Sequence, residues 1–240
     1  MIDSKTRRAL EARFYPDLEE RVFGLFARRL AHCLPEGALV LDAGSGSGSW
    51  VLQEHRQRIG FLVGVDLSAP REPRLDGFVL GSCEALPFAS ASFDLVLAYL
   101  VIEHLPDPLR AFAEFARVLR PGGYFCFKTP AVHTPLFLLA RLLPISLHKR
   151  LKARIGTAEE DVFPTFYRAN TPAALERGLS QAGFRREWLY TVDQTYAYLT
   201  QNPWTYTLGL LYSRLTNLAP LAWLRNQIIG IYRLPAEGEE

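Results

Sequence analysis

Between Ala38 and Lys128 the chain repeats one pattern: a short apolar run, a loop, then a stretch of helical periodicity. Apolar runs of this length, lacking polar alternation, read as strands buried on both faces, and such strands belong to parallel sheets covered by helices. The runs are Ala38–Asp42, Phe61–Asp66, Gly77–Gly81, Phe93–Val101 and Tyr124–Lys128. Helices are expected over about 48–58 and from about Asp107 to Leu119, and Pro121-Gly122-Gly123 turns the chain into the fifth run. Phe184–Val192 and Gln227–Leu234 read as two more strands. The expected fold is α/β: a seven-stranded, mostly parallel sheet with helices on both faces.

Outside that core the periodicity is helical. Asp17 is placed to cap a segment reaching about Cys33, with Leu18, Val22, Leu25, Phe26 and Leu30 on one stripe. Helical insertions are expected over 134–155, Thr171–Ala182 and about Pro203–Leu224. A chain of 240 residues suits a single domain: an N-terminal helical part (1–36), a ligand-binding core (37–130), and insertions with the last strands (131–240). The formal net charge of +2 argues against a nucleic-acid partner, and three cysteines without paired spacing outline neither a disulfide framework nor a zinc site. Met1 to Arg13 lacks an apolar signal segment, so cytoplasmic residence is the expectation.

The chemistry concentrates in Val40-Leu41-Asp42-Ala43-Gly44-Ser45-Gly46-Ser47-Gly48, where three glycines join a strand to a helix. Glycine reaches positive φ and lets a ligand approach the backbone closely. Taken alone, the glycines fit a plain strand-to-helix loop equally well. Their G-x-G-x-G spacing, however, differs from the G-x-G-x-x-G of dinucleotide binders, and no G-K-[ST] ending marks a triphosphate loop. Asp42, just before them, suits a cationic ligand better than a pyrophosphate. Asp66 ends the next strand in Gly64-Val65-Asp66, where a carboxylate accepts two ribose hydroxyls.

Further blocks follow in order: Gly81-Ser82-Cys83-Glu84-Ala85-Leu86-Pro87-Phe88, Ser92-Phe93-Asp94-Leu95-Val96, Ile102-Glu103-His104-Leu105-Pro106-Asp107-Pro108, and Val118-Leu119-Arg120-Pro121-Gly122-Gly123. Together with the glycine loop they make residues 38–130 resemble the class I S-adenosylmethionine (SAM)-dependent methyltransferases, of the broad small-molecule and quinone group. The resemblance implies a Rossmann-like sheet and SAM as cofactor. It assigns Asp42, Gly44, Ser45, Gly46 and Gly48 to the methionine and ribose portion, Asp66 to the ribose hydroxyls and Leu67 to the adenine. Ser82, Cys83 and Glu84 are implied at the adenine edge, Ala98, Tyr99 and Leu100 beneath the sulfonium, and Tyr15 in an N-terminal lid, although Tyr15 reads equally as a surface aromatic. Where the family usually carries Asp, this chain has Ser82, which implies rerouted adenine contacts. No metal is expected, because the position three before Glu103 is Leu100 and not a second carboxylate.

Methyl transfer from a sulfonium is an in-line displacement that mainly needs alignment in a dry pocket. An oxygen acceptor adds a need for a base, and the candidates are His104 after the fourth strand and His133 after the fifth. His104 reads equally as a helix-entry residue packed beneath the cofactor. Pro135–Leu147 is apolar and is followed by the basic His148–Arg154, which fits either a peripheral membrane contact over 135–154 or a packed helix with a solvated end. The apolar stretch 203–224 fits a lid, a membrane dock or core. Tyr167 and Arg168 either face the acceptor or belong to a structural loop. The expected function is methylation of an oxygen on a small, hydrophobic or lipid-linked acceptor. The alternatives are carbon methylation of a quinone-like ring and a catalytically silent SAM-binding partner.

Overall fold

A computed structural model of the chain describes residues 2–132, 134, 163–236, 238 and 239. The expected helix over 134–155, the basic cluster and His133 therefore lie outside the described residues, Thr134 excepted. The chain divides into two compact units: one of residues 1–25, 131–164 and 191–227, the other of residues 26–130, 165–190 and 228–240.

The second unit holds most of the sheet. Its strands are β1 (Ala38–Ala43), β2 (Ile59–Asp66), β3 (Gly77–Leu80), β4 (Phe93–Tyr99) and β5 (Leu119–Pro130), joined by β6 (Arg185–Val192) and β7 (Gln227–Arg233). Their order is β3-β2-β1-β4-β5-β7-β6. β1 pairs in parallel with β2 and β4, β2 with β3, and β4 with β5. β7 runs the other way: Gly122 N–H donates to Leu234 O and Leu234 N–H to Gly123 O, so the end of β7 meets the start of β5. The expected seven-stranded, mostly parallel sheet is present.

The central strands are buried along nearly their whole length, which is why they read as continuous apolar runs. One face of β5 carries an aromatic cluster. Phe125 lies 4.9 Å from Phe115 and 6.2 Å from Phe112, both on α4 (Pro108–Val118), and 5.6 Å from Phe184. Asp107 caps α4 by accepting from Arg110 N–H. Thr171 caps α5 (Pro172–Gln181) in the same way, with Pro at its first position. Phe127 stacks on Tyr232 and passes directly over Gly230, where a Cβ would come within 2.2 Å of the Phe127 ring.

The first unit contains α1 (Ser4–Phe14) and α6 (Pro203–Thr216). Arg7 donates to both Glu11 and the Tyr206 hydroxyl at 3.1 Å, which ties α1 to α6. Buried Asp193 accepts from Thr195 and Ser213, and Arg225 donates to the carbonyls of Thr191, Thr216 and Asn217.

Several boundaries differ from expectation. The helix expected over 203–224 stops at Thr216: Asn217 caps it, Leu218 is extended, and Pro220 opens a separate 3-10 segment, Ala219–Leu224. The N-terminal segment divides into α1, a π-helical turn (Glu19–Phe23) and α2 (Gly24–Ala31). α1 escaped notice as a separate helix because none of its side chains is buried, which leaves hydrophobic periodicity nothing to mark. The helix expected over 48–58 is the single turn α3 (Trp50–Gln53) and a 3-10 turn. Among the described residues no helix is long and apolar enough to cross a membrane.

The close approach at Gly230 yields a measurable expectation. Gly230→Ala should cost about 1–3 kcal/mol in urea unfolding, because the added methyl group would lie within 2.2 Å of the buried ring of Phe127 and force a shift. An unchanged midpoint would mean that β7 yields to the methyl group.

Candidate functional site

The carboxyl ends of β1, β2 and β4 meet in the second unit, and the glycine loop starts there. Gly44 and Ser45 N–H both donate to Val65 O, which pins the loop to β2, and Gly48 N–H donates back to Ser45 O. Gly44, Gly46 and Gly48 all take positive φ, at 68°, 48° and 107°. A Cβ at Gly44 would lie 2.4 Å from Val101 Cγ2, whereas one at Gly46 would meet nothing within 4 Å. The backbone at Gly46 is thus open to a ligand, and that at Gly44 is packed from behind.

Asp42 is fully buried, and both its oxygens are used by one residue: Oδ2 accepts from Ser49 N–H and Oδ1 from the Ser49 hydroxyl, each at 2.7 Å. Burial pushes its carboxyl up to about 7 against the pull of these two donors. Asp42 therefore closes the loop onto the start of α3.

Asp66 is half-buried. Its Oδ2 accepts from Gly46 N–H at 2.9 Å and its Oδ1 from Ser68 N–H at 3.1 Å. The Ser68 hydroxyl adds a weaker contact to Oδ1 at 3.4 Å. A carboxylate offers about four lone-pair positions, so about one remains for a ligand hydroxyl, and a second opens when the Ser68 hydroxyl turns away. Leu67 beside it is 65% exposed and presents a flat apolar surface. At the next strand end, the Ser82 hydroxyl accepts from Glu84 N–H, and Glu84 in turn accepts from Asp107 N–H. Cys83 is buried, which pushes its thiol up to about 12. The residue in place of the family's usual Asp thus serves a local turn.

β4 ends in Ala98, fully buried, then Tyr99, whose ring stacks on Phe26 and meets Trp50 edge-on. Leu100 follows with φ of +60°, a left-handed conformation uncommon for a non-glycine residue, while its N–H donates to Lys128 O. This reversal ends the strand two residues before the expected Val101 and leaves the Leu100 side chain 38% exposed at the sheet edge. Such strain concentrates at ligand sites.

A polar cluster lies next to this edge. Buried Lys128, at the β5 position paired with Tyr99, donates to the Tyr99 hydroxyl at 3.2 Å. Burial lowers its ammonium to about 8 despite the charge of Glu103. Glu103 is buried too and accepts from Thr129 Oγ1 at 2.9 Å, and burial raises its carboxyl. Asn170 donates to Thr129 Oγ1 and to Pro130 O, and its own Oδ1 is buried without a protein partner. A lysine closing an otherwise apolar strand was the available signal, since buried lysines are rare. The distant Asn170 gave none.

His104 is half-buried in a 3-10 turn right after Glu103. Tyr15, the one expected cofactor contact outside the second unit, is buried in the first, where its hydroxyl accepts from Asn217. His133 lies outside the described residues. Arg168 donates to Pro106 O, and Tyr167 takes φ of +52° with its N–H on Glu103 O.

The residues of the second unit fit SAM. An open glycine backbone, a carboxylate with a spare acceptor position and an exposed leucine match its diol and its adenine.

Asp42 carries a pH expectation. With its carboxyl at about 7 in the folded chain and near about 4 when unfolded, the folded chain keeps a proton that the unfolded chain releases. The resulting stability is complete below about pH 4 and is lost as pH rises through about 7. Relative to Asp42→Asn, the wild-type melting temperature should therefore fall across that window. A difference that stays constant with pH would place the Asp42 carboxyl in its ordinary range.

Comparison with known proteins agrees with this geometry. Residues 41–127 match the family described as "Methyltransferase domain". The malonyl-[acyl-carrier protein] O-methyltransferase of Erwinia pyrifoliae is 38% identical over 109 residues, which span 42% of this chain and 41% of that protein. The chain thus matches less than half the length of this curated relative. Among solved structures, the [4+2]-cyclase SpnF aligns with a TM-score of 0.57 at 20% identity, over 90% of this chain and 81% of that one. Geranyl diphosphate C-methyltransferase from Streptomyces coelicolor, solved with S-adenosyl-L-homocysteine, aligns with a TM-score of 0.56 at 17% identity, over 90% and 80%. At these identities the structures speak for the fold. The loop, the strand order and the match together identify residues 41–127 as a methyltransferase domain of the class I SAM-dependent kind.

Proposed function

We propose that this chain transfers a methyl group from SAM to an oxygen of a small, hydrophobic or lipid-linked acceptor. The observation that carries the reading is the glycine loop closed by Asp42 beside Asp66, whose carboxylate keeps an acceptor position free at an open backbone. SAM supplies an electrophilic methyl group on a sulfonium. In this reading Gly44, Ser45, Gly46 and Gly48 surround its methionine portion, and Asp66 takes the ribose hydroxyls. Leu67 packs on the adenine and Ser82–Glu84 on its edge, while Ala98, Tyr99 and Leu100 support the sulfonium.

Oxygen as the acceptor atom is supported by the Erwinia relative's name and by two groups next to β4. His104, with its ordinary reach after the strand end, would take the proton from an acceptor hydroxyl. Lys128, buried beside Tyr99, would orient an anionic oxygen. The Streptomyces neighbour favours carbon methylation as a second reading, and the cyclase neighbour shows that this fold also serves other chemistry.

Calorimetry with SAM tests the donor. Micromolar binding by the intact protein should weaken roughly 10–100-fold in Asp66→Ala, as expected when hydrogen bonds to a charged group are lost. With an acceptor in hand, His104→Gln should lower kcat by about 10²–10⁴-fold while SAM affinity stays unchanged. Absence of SAM binding by the intact protein would end the enzymatic reading; an unchanged kcat would remove His104 as the base.

A further inference from the structure

Among the described residues, the first unit presents an apolar row that packing leaves exposed. On α6, Trp204, Leu208, Leu211 and Leu215 are 82%, 64%, 44% and 54% exposed. Leu218 and Trp223, just past the helix, continue the row at 49% and 57%. The opposite face of the helix, with Tyr206, Gly209, Leu210 and Ser213, is buried within the unit. Large patches of this kind are uncommon on monomers and mark interaction surfaces.

Spacing tells which partner fits. Within the helix the positions advance by four, three and four residues, which is the alternation of a heptad seam, and at 100° per residue they fall within a band only about 60° wide. A band that narrow suits one facing helix. A helix lying in a lipid surface has a broad apolar face and a polar face rich in Lys and Arg. α6 has neither, since its single charged residue is Arg214, which donates to Phe14 O. Residues 194–236 contain no Asp or Glu, so no acid opposes apolar contact along the row.

The row is also self-complementary. The midpoint of α6 lies between Gly209 and Leu210, and the exposed residues are placed symmetrically about it. In an antiparallel pair of α6 helices sharing that midpoint, Leu208 faces Leu211 of the second copy and Trp204 faces Leu215. Arg214 then faces Thr205 of the second copy, which keeps the two Arg214 side chains apart.

We infer that this chain self-associates as a two-fold dimer through α6, the two helices antiparallel, with Trp204, Leu208, Leu211 and Leu215 as the seam. Isologous pairing of this kind is the commonest closed symmetry. The exposed row offers on the order of 600 Å² per protomer, against the ~800 Å² per partner of a standard interface, so a dimer of modest affinity is expected.

Sedimentation velocity on the full chain over a range of concentrations tests this. The wild type should pass from monomer to dimer, and Leu208→Glu with Leu211→Glu should remain monomeric with its thermal unfolding transition retained. Because those changes may unfold the unit, a second variant reads the register directly. Leu208→Cys with Leu211→Cys should give a covalent dimer with a short thiol-specific cross-linker, and the native Cys33, Cys83 and Cys126 are all buried. A wild type that stays monomeric overturns the inference, whether or not it floats with phosphatidylglycerol vesicles; flotation would assign the row to lipid. A dimer that survives the glutamates, or that fails to cross-link, overturns it as well.

Discussion

The hydrogen bonds from Ser49 to Asp42 hold the site in the shape that a ligand would meet. Asp42 stands at the end of a fully buried central strand, where an unpartnered carboxylate would be costly. Two donors from one residue, seven positions on, satisfy both its oxygens. That closure sets the length of the loop and requires the three left-handed glycine conformations between its ends. The open backbone at Gly46, the approach of Gly46 N–H to Asp66 and the start of α3 all follow from it. Asp42 is thus committed to closing the loop, while Asp66 stands at its open backbone.

A second polar construction stands at the neighbouring strand ends. Lys128, Glu103, Thr129 and Asn170 place a cation, a carboxyl, a hydroxyl and an amide in a region largely closed to water. Burial moves Lys128 downward and Glu103 upward, so each charge is less favoured there than in water. Buried polar groups of this kind are sustained by their mutual hydrogen bonds. The unpartnered Asn170 Oδ1 is the exception, and it lies where the chain passes from the loop after Pro164 into α5. The cluster lies next to the strained backbone at Leu100, whose N–H donates to Lys128 O.

The two units place different demands on the chain. In the second, burial on both faces of the sheet and the aromatic packing of Phe112, Phe115 and Phe125 leave little freedom, and Phe127 requires glycine at position 230. In the first, short helices are held by polar ties such as Arg7 with Glu11 and Tyr206, and α6 keeps an apolar row outward. A fold shared with a cyclase and with methyltransferases leaves the reaction to such local differences.

Much of the second unit was legible in the order of residues, because its strands are short apolar runs and its loop chemistry is local. The seven strands, the glycine loop, Asp66 and the helix starts near Asp107 and Thr171 all depend on neighbours within a few positions or on burial that shows as composition. What lay beyond the sequence came from long-range contact. That Asp42 meets Ser49, and where α6 ends, depended on which hydrogen bonds close. That Lys128 meets Tyr99 and Asn170 meets Thr129 depended on strands and loops brought together from distant positions. α1 falls within the helical part expected over 1–36, but its bounds left no mark for the opposite reason: none of its side chains is fully buried and polar ties hold it, so it writes only a weak period into its sequence.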